Sequence, residues 1–313
     1  MNSCDDKQLI RVDVDGSPNS KNFHPHGFGV VVSPKNGQKS FFLPKKKKKK
    51  VLLVYLVNHR SDGEFVEIYE FQPDKHLLLW LQEVSSSEHF TYLNDVQPVV
   101  RGASSKLPDF YVTNSFKYEI KTWQNILFEA FFHPKWSKLV HCGLKDDPPG
   151  KETNIWVCTV VDDSLSFGNG VALSADKKQL YAISSGTTFM SIYNISSPSS
   201  LATKWKDVPT STLCDNLYVD DQNGDVFVAC HPDPLRLRKK MLVTKKNSKE
   251  AGSSAPSQVL KWDGNENWKE IFSCNGDEPC IEASSTGLYC RDANALLVGS
   301  IIDNGILRCQ LTL

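Results

Sequence analysis

The chain has 313 residues, 36 of them basic and 36 acidic, so its formal net charge at pH 7 is zero. A chain of this length buries a substantial core, either as one large domain or as two ordinary ones. The charge balance argues against general binding to nucleic acid or to anionic membrane, because both depend on an excess of Lys and Arg, and it favours small or neutral partners.

The N-terminal stretch MNSCDDKQLI lacks the apolar core of a signal peptide. No apolar run in the sequence approaches the ~18 to 20 residues that a membrane span needs. These residues therefore predict a soluble chain.

Four stretches share one design, in which a polar turn joins two apolar runs. They are GVVVSPKNGQ (29–38), GVALSADKKQLYAISS (170–185), NLYVDDQNGDVFVAC (216–230) and GLYCRDANALLVGSI (287–301). Each is predicted to be a β-hairpin, because Val, Leu, Ile and Tyr favour strands while Asp, Asn, Gly and Lys favour turns. Two further strand pairs are LLVYLVNHR with EFVEIYEFQ and VQPVV with DFYVTN.

The spacing of these hairpins indicates a repeated architecture. The second and third begin about 46 residues apart, close to the ~40 to 50 residues of one propeller blade. We therefore predict an all-β, six-bladed β-propeller with one or more short packed helices, in a single domain over residues 1–313. A sandwich or a jelly roll also uses short strands, but a turn that recurs at this period favours radial repetition.

Three segments interrupt this plan. Residues 118–136 predict a helix, because apolar residues in them approximate helical spacing. These residues are Ile120, Trp123, Ile126, Leu127 and Phe131. Residues 40–50 end in six lysines; we interpret them as an inserted, solvated loop rather than a nuclear signal or polyanion site, because the rest of the chain is not basic. Residues 236–258 have the composition of a loop.

Nine cysteines are scattered along the chain without the paired CxxC spacing of a zinc site. They lie at positions 4, 142, 158, 214, 230, 274, 280, 290 and 309, and an odd number leaves at least one thiol free. Cys274 and Cys280 flank a turn-forming segment and are the best candidates for a local disulfide, with two unpaired loop thiols as the equal alternative. Asn194 begins a glycosylation sequon, which is compatible with a secreted protein.

Asn and Asp side chains recur where predicted strands begin. The three places are Asn94-Asp95 in YLNDVQPVV, Asn169 in FGNGVALSAD and Asp215-Asn216 in LCDNLYVDD. The first strand of each propeller blade lines the central channel, so we expect these residues to converge on one axis. Carboxylate and amide oxygens without thiolates suit a hard cation such as calcium. The alternative is that Asn and Asp only open turns and cap strands.

Histidines form a second set of candidates. His26 precedes a predicted strand, and His59 and His231 end two others. Most histidines in such places make ordinary hydrogen bonds. Near a cation, however, two of them are suited to activate water, one imidazole acting as the base and the other orienting it.

Seven motifs, in this order, resemble the serum paraoxonase/arylesterase family. They are NFHPHGFG (22–29), YLVNH (55–59), YLNDV (92–96), FYVTN (110–114), FGNGVALSADKKQLYAIS (167–184), DNLYVDDQNGDVFVACHP (215–232) and GILRCQL (305–311). The resemblance extends from about Lys7 to the C-terminus. It implies a six-bladed propeller with two calcium ions in its tunnel that hydrolyses lactones, aryl esters and some organophosphates. It also implies an extracellular protein, with membrane or lipoprotein association in full-length members.

The resemblance also implies roles for individual residues. His26 and His59 match a catalytic histidine dyad, and Phe167 and His231 match residues near the substrate pocket. The implied metal ligands are Asn94, Asn169, Asp215 and Asn216 for a catalytic calcium, and Asp95 with the backbone carbonyl of Phe28 for a structural calcium. In this mechanism calcium polarises the ester or lactone carbonyl and stabilises the oxyanion, while a histidine-activated water attacks.

Three family features lie upstream of the part that this sequence matches. They are a Glu-Asp pair of the first blade that supplies one ligand to each calcium, a hydrophobic leader, and a cysteine that bonds to the equivalent of Cys309. We therefore expect an incomplete first blade and weaker calcium binding, because affinity rises with ligand charge. Cys4 is a candidate substitute for that cysteine, although its sequence context differs.

Two functions are compatible with these observations. The first is a calcium-dependent arylesterase or lactonase. The second is a non-catalytic propeller that binds a ligand or a partner protein, because the first-blade calcium ligands are missing. A gluconolactonase-like calcium propeller is a weaker alternative, since the VNH and CHP motifs fit paraoxonases better.

Overall fold

A computed structural model describes residues 10–18, 22–34, 50–100, 107–117, 132, 134–145, 155–196, 201–242, 254–265, 267–275 and 280–311. These residues form five β-sheets. The first sheet has the order β1-β5-β4-β3-β2 and consists of β1 (Asp13–Asp15), β2 (Pro25–Pro34), β3 (Lys50–Arg60), β4 (Gly63–Gln72) and β5 (Leu77–Val84). A short 3-10 helix, Pro73–Lys75, connects β4 to β5.

The other four sheets are meanders in which strands adjacent in sequence pair with one another. The second contains β6 (Leu93–Val99), β7 (Asp109–Asn114), β8 (Ser137–Leu144) and β9 (Trp156–Leu165). The third contains β10 (Gly168–Leu173), β11 (Gln179–Ser184), β12 (Phe189–Asn194) and β13 (Thr203–Pro209). The fourth contains β14 (Leu213–Val219), β15 (Val226–His231), β16 (Ser257–Trp262) and β17 (Trp268–Cys274), and the fifth contains β18 (Ser284–Cys290), β19 (Ala295–Ser300) and β20 (Leu307–Gln310).

The strands follow the predicted hairpins because the turns fix the register. In the β3–β4 hairpin, Arg60 pairs with Gly63 across the two-residue turn Ser61-Asp62. Gly63 has a φ of +146°, which residues with side chains rarely adopt. The pairings of β6 with β7, β14 with β15 and β18 with β19 confirm three other predicted strand pairs. For the stretch 29–38, the partner of β2 is β3, and residues 35–49 between them, including most of the lysine segment, lie outside the described residues.

These sheets are propeller blades, and the predicted all-β class is confirmed. The predicted number was wrong, because the described residues form five blades rather than six. The first sheet has five strands and the fifth has three, and the incomplete first blade stays a prediction. Hairpin motifs counted along a sequence do not show how many strands each sheet contains, since a hairpin can gain further strands on either side, as when β1 pairs with β5 in the first sheet.

Packing between sheets divides the chain into two compact units. One contains Ile10–Gly168 with Ile195–Thr203, and the other contains Asn169–Asn194 with Lys204–Leu313. In the first unit, apolar side chains of the first and second sheets share a core around Tyr55, Ile68 and Phe110. In the second unit, Ile192, Val228 and Trp262 belong to a core shared by the third and fourth sheets. The predicted single domain over 1–313 stays a prediction.

The described residues contain one complete α-helix, α1 (Pro234–Leu242), and Phe132 is also helical. Residues 236–242 of the segment that we expected to be a loop belong to α1, so the expectation was wrong for them, while residues 243–253 lie outside the described residues. Asp233 caps the helix, since its Oδ1 accepts a hydrogen bond from the Arg236 N–H at 2.9 Å, and Pro234 suits the first helical turn. Most of the helix predicted over 118–136 lies outside the described residues. None of the described helical residues form a helix long and apolar enough to cross a membrane.

Disulfides join neighbouring strands. Cys142 on β8 bonds to its register partner Cys158 on β9, and Cys214 on β14 bonds to its register partner Cys230 on β15. The predicted Cys274–Cys280 disulfide is confirmed. Cys290 is also disulfide-bonded. Cys309 on β20 carries a free thiol whose pKa is raised because it is partly buried.

The close approach of β2 to β6 supplies a test of the packing. A Cβ atom at Gly29 would lie 2.2 Å from the Val96 carbonyl oxygen and 2.4 Å from Pro98 Cδ. Neither atom has freedom to move aside, so Gly29→Ala is expected to lower the free energy of unfolding by about 1–3 kcal/mol or more. Gly305→Ala is the matched control, since a Cβ there meets no atom within 4 Å. The free energy of unfolding of both variants is measured in urea. Equal losses of stability in the two variants would contradict this packing.

Candidate active site

A histidine pair and a carboxylate form a hydrogen-bonded chain at the end of the β3–β4 hairpin. His59 Nε2 lies 3.0 Å from His26 Nδ1. On its other side, His59 Nδ1 lies 2.8 Å from Glu64 Oε2. Glu64 Oε2 also accepts a hydrogen bond from the Leu93 main-chain N–H at 2.8 Å, which holds the carboxylate in place. The structure therefore brings together the two histidines that the sequence proposed as a dyad.

Aromatic rings extend from this pair. Tyr92 stacks on His59 with 4.4 Å between ring centroids. Phe116 lies 5.4 Å from Tyr92 and 4.8 Å from Phe167, the predicted pocket residue. Phe167 has a φ of +53°, which is uncommon for an aromatic residue. Backbone conformations of this kind cluster at functional sites. The pKa of Tyr92 is raised because its ring is buried and because the Glu64 carboxylate is close.

Five of the predicted site residues lie in β-bulges of the same kind, where two residues oppose one on the next strand. On β2, the bulge between Pro25 and Phe28 contains His26. On β6, the bulge between Leu93 and Val96 contains the Asn94-Asp95 pair. On β14, the bulge between Cys214 and Leu217 contains the Asp215-Asn216 pair. Bulges re-aim side chains and are frequent next to active sites, so their recurrence separates these pairs from ordinary turn residues.

In the unit that contains the histidine pair, the predicted calcium ligands are Asn94, Asp95 and the carbonyl of Phe28. Asn94 is buried, and its Nδ2 donates to Ser115 Oγ at 2.9 Å. Its Oδ1 is buried without a hydrogen-bond partner among the described residues. Asp95 is buried beside it, and a Cβ on Gly27 would lie 2.7 Å from Asp95 Oδ1, so β2 passes close to this oxygen. Phe28 follows directly on β2, with its ring exposed.

The second unit contains the remaining predicted ligands. Asp215 Oδ1 accepts a hydrogen bond from Asn216 Nδ2 at 3.2 Å, and Asp215 Oδ2 lies 3.5 Å from His231 Nε2. Gly170 lies against this bulge, since a Cβ on it would be 2.6 Å from Asn216 Cα. The buried residue Asn169 directly precedes Gly170 in the chain. His231 is buried, and its Nδ1 has no hydrogen-bond partner within the described part of the chain.

The donor atoms in both units are suited to a hard cation. They are carboxylate, amide and carbonyl oxygens, which calcium prefers, and the orphaned Oδ1 of Asn94 is an acceptor that burial makes costly unless a cation or donor satisfies it. Only two of the predicted ligand residues, Asp95 and Asp215, have carboxylate side chains. No three His, Cys, Asp or Glu side chains of the described ranges cluster closely enough to hold a metal ion. The residues therefore fit calcium with neutral oxygens as the main ligands.

Sequence reasoning missed two residues of this region, Glu64 and Tyr92. The signal for Glu64 was its position in the hairpin: a two-residue turn after Arg60 makes His59 and Glu64 register partners. No comparable signal pointed to Tyr92, because its contact with His59 joins two residues that are far apart in the sequence. The sequon residue Asn194 ends β12, where its Oδ1 accepts a hydrogen bond from Gln179 at 3.3 Å; its glycosylation stays a prediction.

The known proteins that resemble this chain in sequence include serum paraoxonases. Serum paraoxonase/lactonase 3 of Mus musculus is 25% identical over 227 residues, covering 72% of this chain and 54% of the relative. Serum paraoxonase/arylesterase 1 of Rattus norvegicus is 27% identical over 218 residues, covering 69% of this chain and 51% of the relative. The chain thus spans about half the length of these relatives.

Among solved structures, the PQQ-bound form of an aldose sugar dehydrogenase from Streptomyces coelicolor aligns with a TM-score of 0.51 at 12% identity, covering 97% of this chain and 81% of that one. At this identity the likeness concerns the fold alone. The family model described as Arylesterase matches residues 3–311. Since that match covers nearly the whole chain, the protein belongs to the arylesterase family.

Proposed function

We propose that this protein is a calcium-dependent hydrolase of aryl esters and lactones in which His26 and His59 activate a water molecule. The observation that carries the proposal is the hydrogen-bonded chain from Glu64 through His59 to His26. Membership of the arylesterase family supports the same reaction class.

The contacts of His59 support one direction of proton transfer in this proposal. A carboxylate at Nδ1 favours the tautomer in which His59 Nδ1 carries the proton, so His59 Nε2 is an acceptor. His26 Nδ1–H then donates to that nitrogen, which leaves the lone pair on His26 Nε2. His26 takes a proton from water at Nε2 and passes its Nδ1 proton to His59, and Glu64 stabilises the imidazolium that results. The hydroxide equivalent adds to the carbonyl carbon, the acyl C–O bond then breaks, and the leaving alkoxide or phenoxide takes up the proton held by the histidine pair.

The proposed calcium ligands are Asn94, Asp95 and the Phe28 carbonyl in the first unit, and Asn169, Asp215 and Asn216 in the second. When bound, calcium supplies a positive charge that polarises the carbonyl and stabilises the oxyanion. The orphaned Oδ1 of Asn94 and the bulges that carry the Asn-Asp pairs support this ligand set.

We propose that Phe167 contacts the substrate, while a substrate-binding role of His231 stays a prediction. The ring of Phe167 lies against Phe116, and Tyr92 continues that apolar surface to His59, which suits contact with the apolar part of an ester or lactone. An extracellular location is proposed on the basis of the disulfides, which persist in oxidising compartments. Membrane or lipoprotein association stays a prediction.

Hydrolysis of phenyl acetate and of an aliphatic lactone by the purified chain, with calcium and with excess chelator, tests the proposal. We expect turnover with calcium and at least about a 100-fold loss with chelator, since metal-assisted carbonyl polarisation contributes several kcal/mol. Absence of turnover from a folded protein would overturn it. That result would favour a non-catalytic propeller that binds a ligand or a partner protein, in line with the scarcity of carboxylates around the candidate ligands among the described residues.

A further inference from the structure

We propose that the Cys214–Cys230 disulfide is a positioning element that holds the Asp215-Asn216 bulge in the conformation needed for cation binding. This inference rests on the calcium site of the proposed function. Each cysteine directly precedes a predicted site residue, Cys214 before Asp215 and Cys230 before His231. The bond therefore links the two strands beside the contact between Asp215 and His231, whose side chains approach to 3.5 Å.

The register explains why a covalent link has an effect here. Cys214 pairs with Cys230, and regular pairing resumes only at Leu217 with Val228. Asp215 and Asn216 together oppose Ala229 alone, so the ladder does not fix their orientation. The disulfide joins the two strands covalently at the last paired position before the bulge.

Neighbouring hydrogen bonds connect the disulfide to the same structure. The Cys214 carbonyl accepts a hydrogen bond from Ser185 Oγ, and the Cys230 carbonyl accepts one from Ser284 Oγ at 3.0 Å. Asn216 Nδ2 donates to the Ser285 carbonyl at 3.0 Å. Both sulfurs belong to buried residues of the core shared by the third and fourth sheets, so the main chain on either side of the bond has little room to adjust.

The second cross-strand disulfide provides a matched control. Cys142 and Cys158 are also register partners on adjacent strands, and both bonds close loops with a sequence separation of 16. Equal loop lengths give equal constraint of the unfolded chain, so removal of either bond is expected to cost similar stability. Cys142 and Cys158 do not adjoin any predicted ligand or pocket residue. A difference between the two removals in the behaviour of the bulge therefore reports positioning rather than general stability.

The experiment compares the double variants C214A/C230A and C142A/C158A with the parent chain. Hydrogen exchange of a peptide covering 213–219 is measured by mass spectrometry in chelator, and the calcium dissociation constant is measured by calorimetry. We expect exchange in this peptide to accelerate at least about tenfold in C214A/C230A and less than about twofold in the control. We expect calcium affinity to fall about 10- to 100-fold in C214A/C230A alone, as for loss of groups that orient metal ligands.

Equal exchange in the two variants, or an unchanged calcium affinity in C214A/C230A, would overturn the positioning role. If the parent binds no calcium, the proposed metal site fails, and the exchange comparison by itself still decides whether the disulfide orders the bulge. If C214A/C230A does not fold, C214V/C230A replaces it, because valine restores apolar volume at a buried strand position.

Discussion

Replacement of His26 by Gln is expected to lower kcat for phenyl acetate by about 10²- to 10⁴-fold, the contribution of a positioned general base. Gln keeps a donor near His59 Nε2 but has no lone pair of suitable basicity to take the proton from water. The effect should appear in kcat and kcat/KM together, because the interaction is made in the transition state. Initial rates over a range of substrate concentrations provide the measurement.

His24→Gln is the matched control for this change. His24 lies two residues away and takes part in the same region through its main chain: its N–H donates to Asn58 Oδ1 at 2.7 Å, and its carbonyl accepts from the His59 N–H at 3.1 Å. Both hydrogen bonds survive a side-chain substitution, so activity within about threefold of the parent is expected. Should His26→Gln keep more than a tenth of the parent kcat, or should the two variants lose activity equally, His26 is not the base.

Replacement of Arg60 by Met is expected to lower the free energy of unfolding by about 3–5 kcal/mol, because it leaves a buried carboxylate without its cation. The Arg60 side chain is only 2% exposed and the Glu67 side chain is fully buried. Arg60 Nη1 lies 3.4 Å from Glu67 Oε1 and 2.6 Å from Glu83 Oε2. Asn58 Nδ2 and the Tyr69 hydroxyl also donate to Glu67. Denaturant unfolding measures the loss.

The double variant R60M/E67Q distinguishes an unpaired charge from lost packing. Once Glu67 is neutral, the penalty for leaving it without Arg60 disappears, so the double variant is expected to be more stable than the sum of the two single changes by about 1–3 kcal/mol. Arg11→Met, which removes the exposed ion pair with Asp13, serves as the control and should leave unfolding unchanged. Additive effects of the Arg60 and Glu67 changes would show that the two side chains are not coupled.

The buried network also bears on the candidate active site. Asn58 joins the two, since it donates to Glu67 through Nδ2 and accepts from the His24 main chain through Oδ1. Burial by itself lowers the pKa of Arg60, but hydrogen bonds to Asp62 and Glu83 more than offset it, so the pKa is raised and the guanidinium stays charged. The segment that leads to His26 is thus anchored to a charged, hydrogen-bonded network.

The sequence by itself determined the strands, most of the hairpins and the candidate site residues. Alternating apolar residues and turn residues act over a few positions, so β3 with β4 and β14 with β15 were predictable from local pattern. The family, and with it the pairing of His26 with His59 as a proposed dyad, followed from short motifs that keep their order along the chain.

Tertiary structure alone decided the features that depend on contacts between distant segments. The number of blades and the stacking of Tyr92 on His59 depend on elements whose approach no local pattern encodes. The disulfides Cys142–Cys158 and Cys214–Cys230 join consecutive strands, but which cysteines face each other depends on the register of the paired strands. The bulges belong to the same class, because a register shift is a property of two paired strands rather than of either one. Helix α1 was missed because its short, basic sequence resembles a loop, and only its Asp-Pro start indicates a helix.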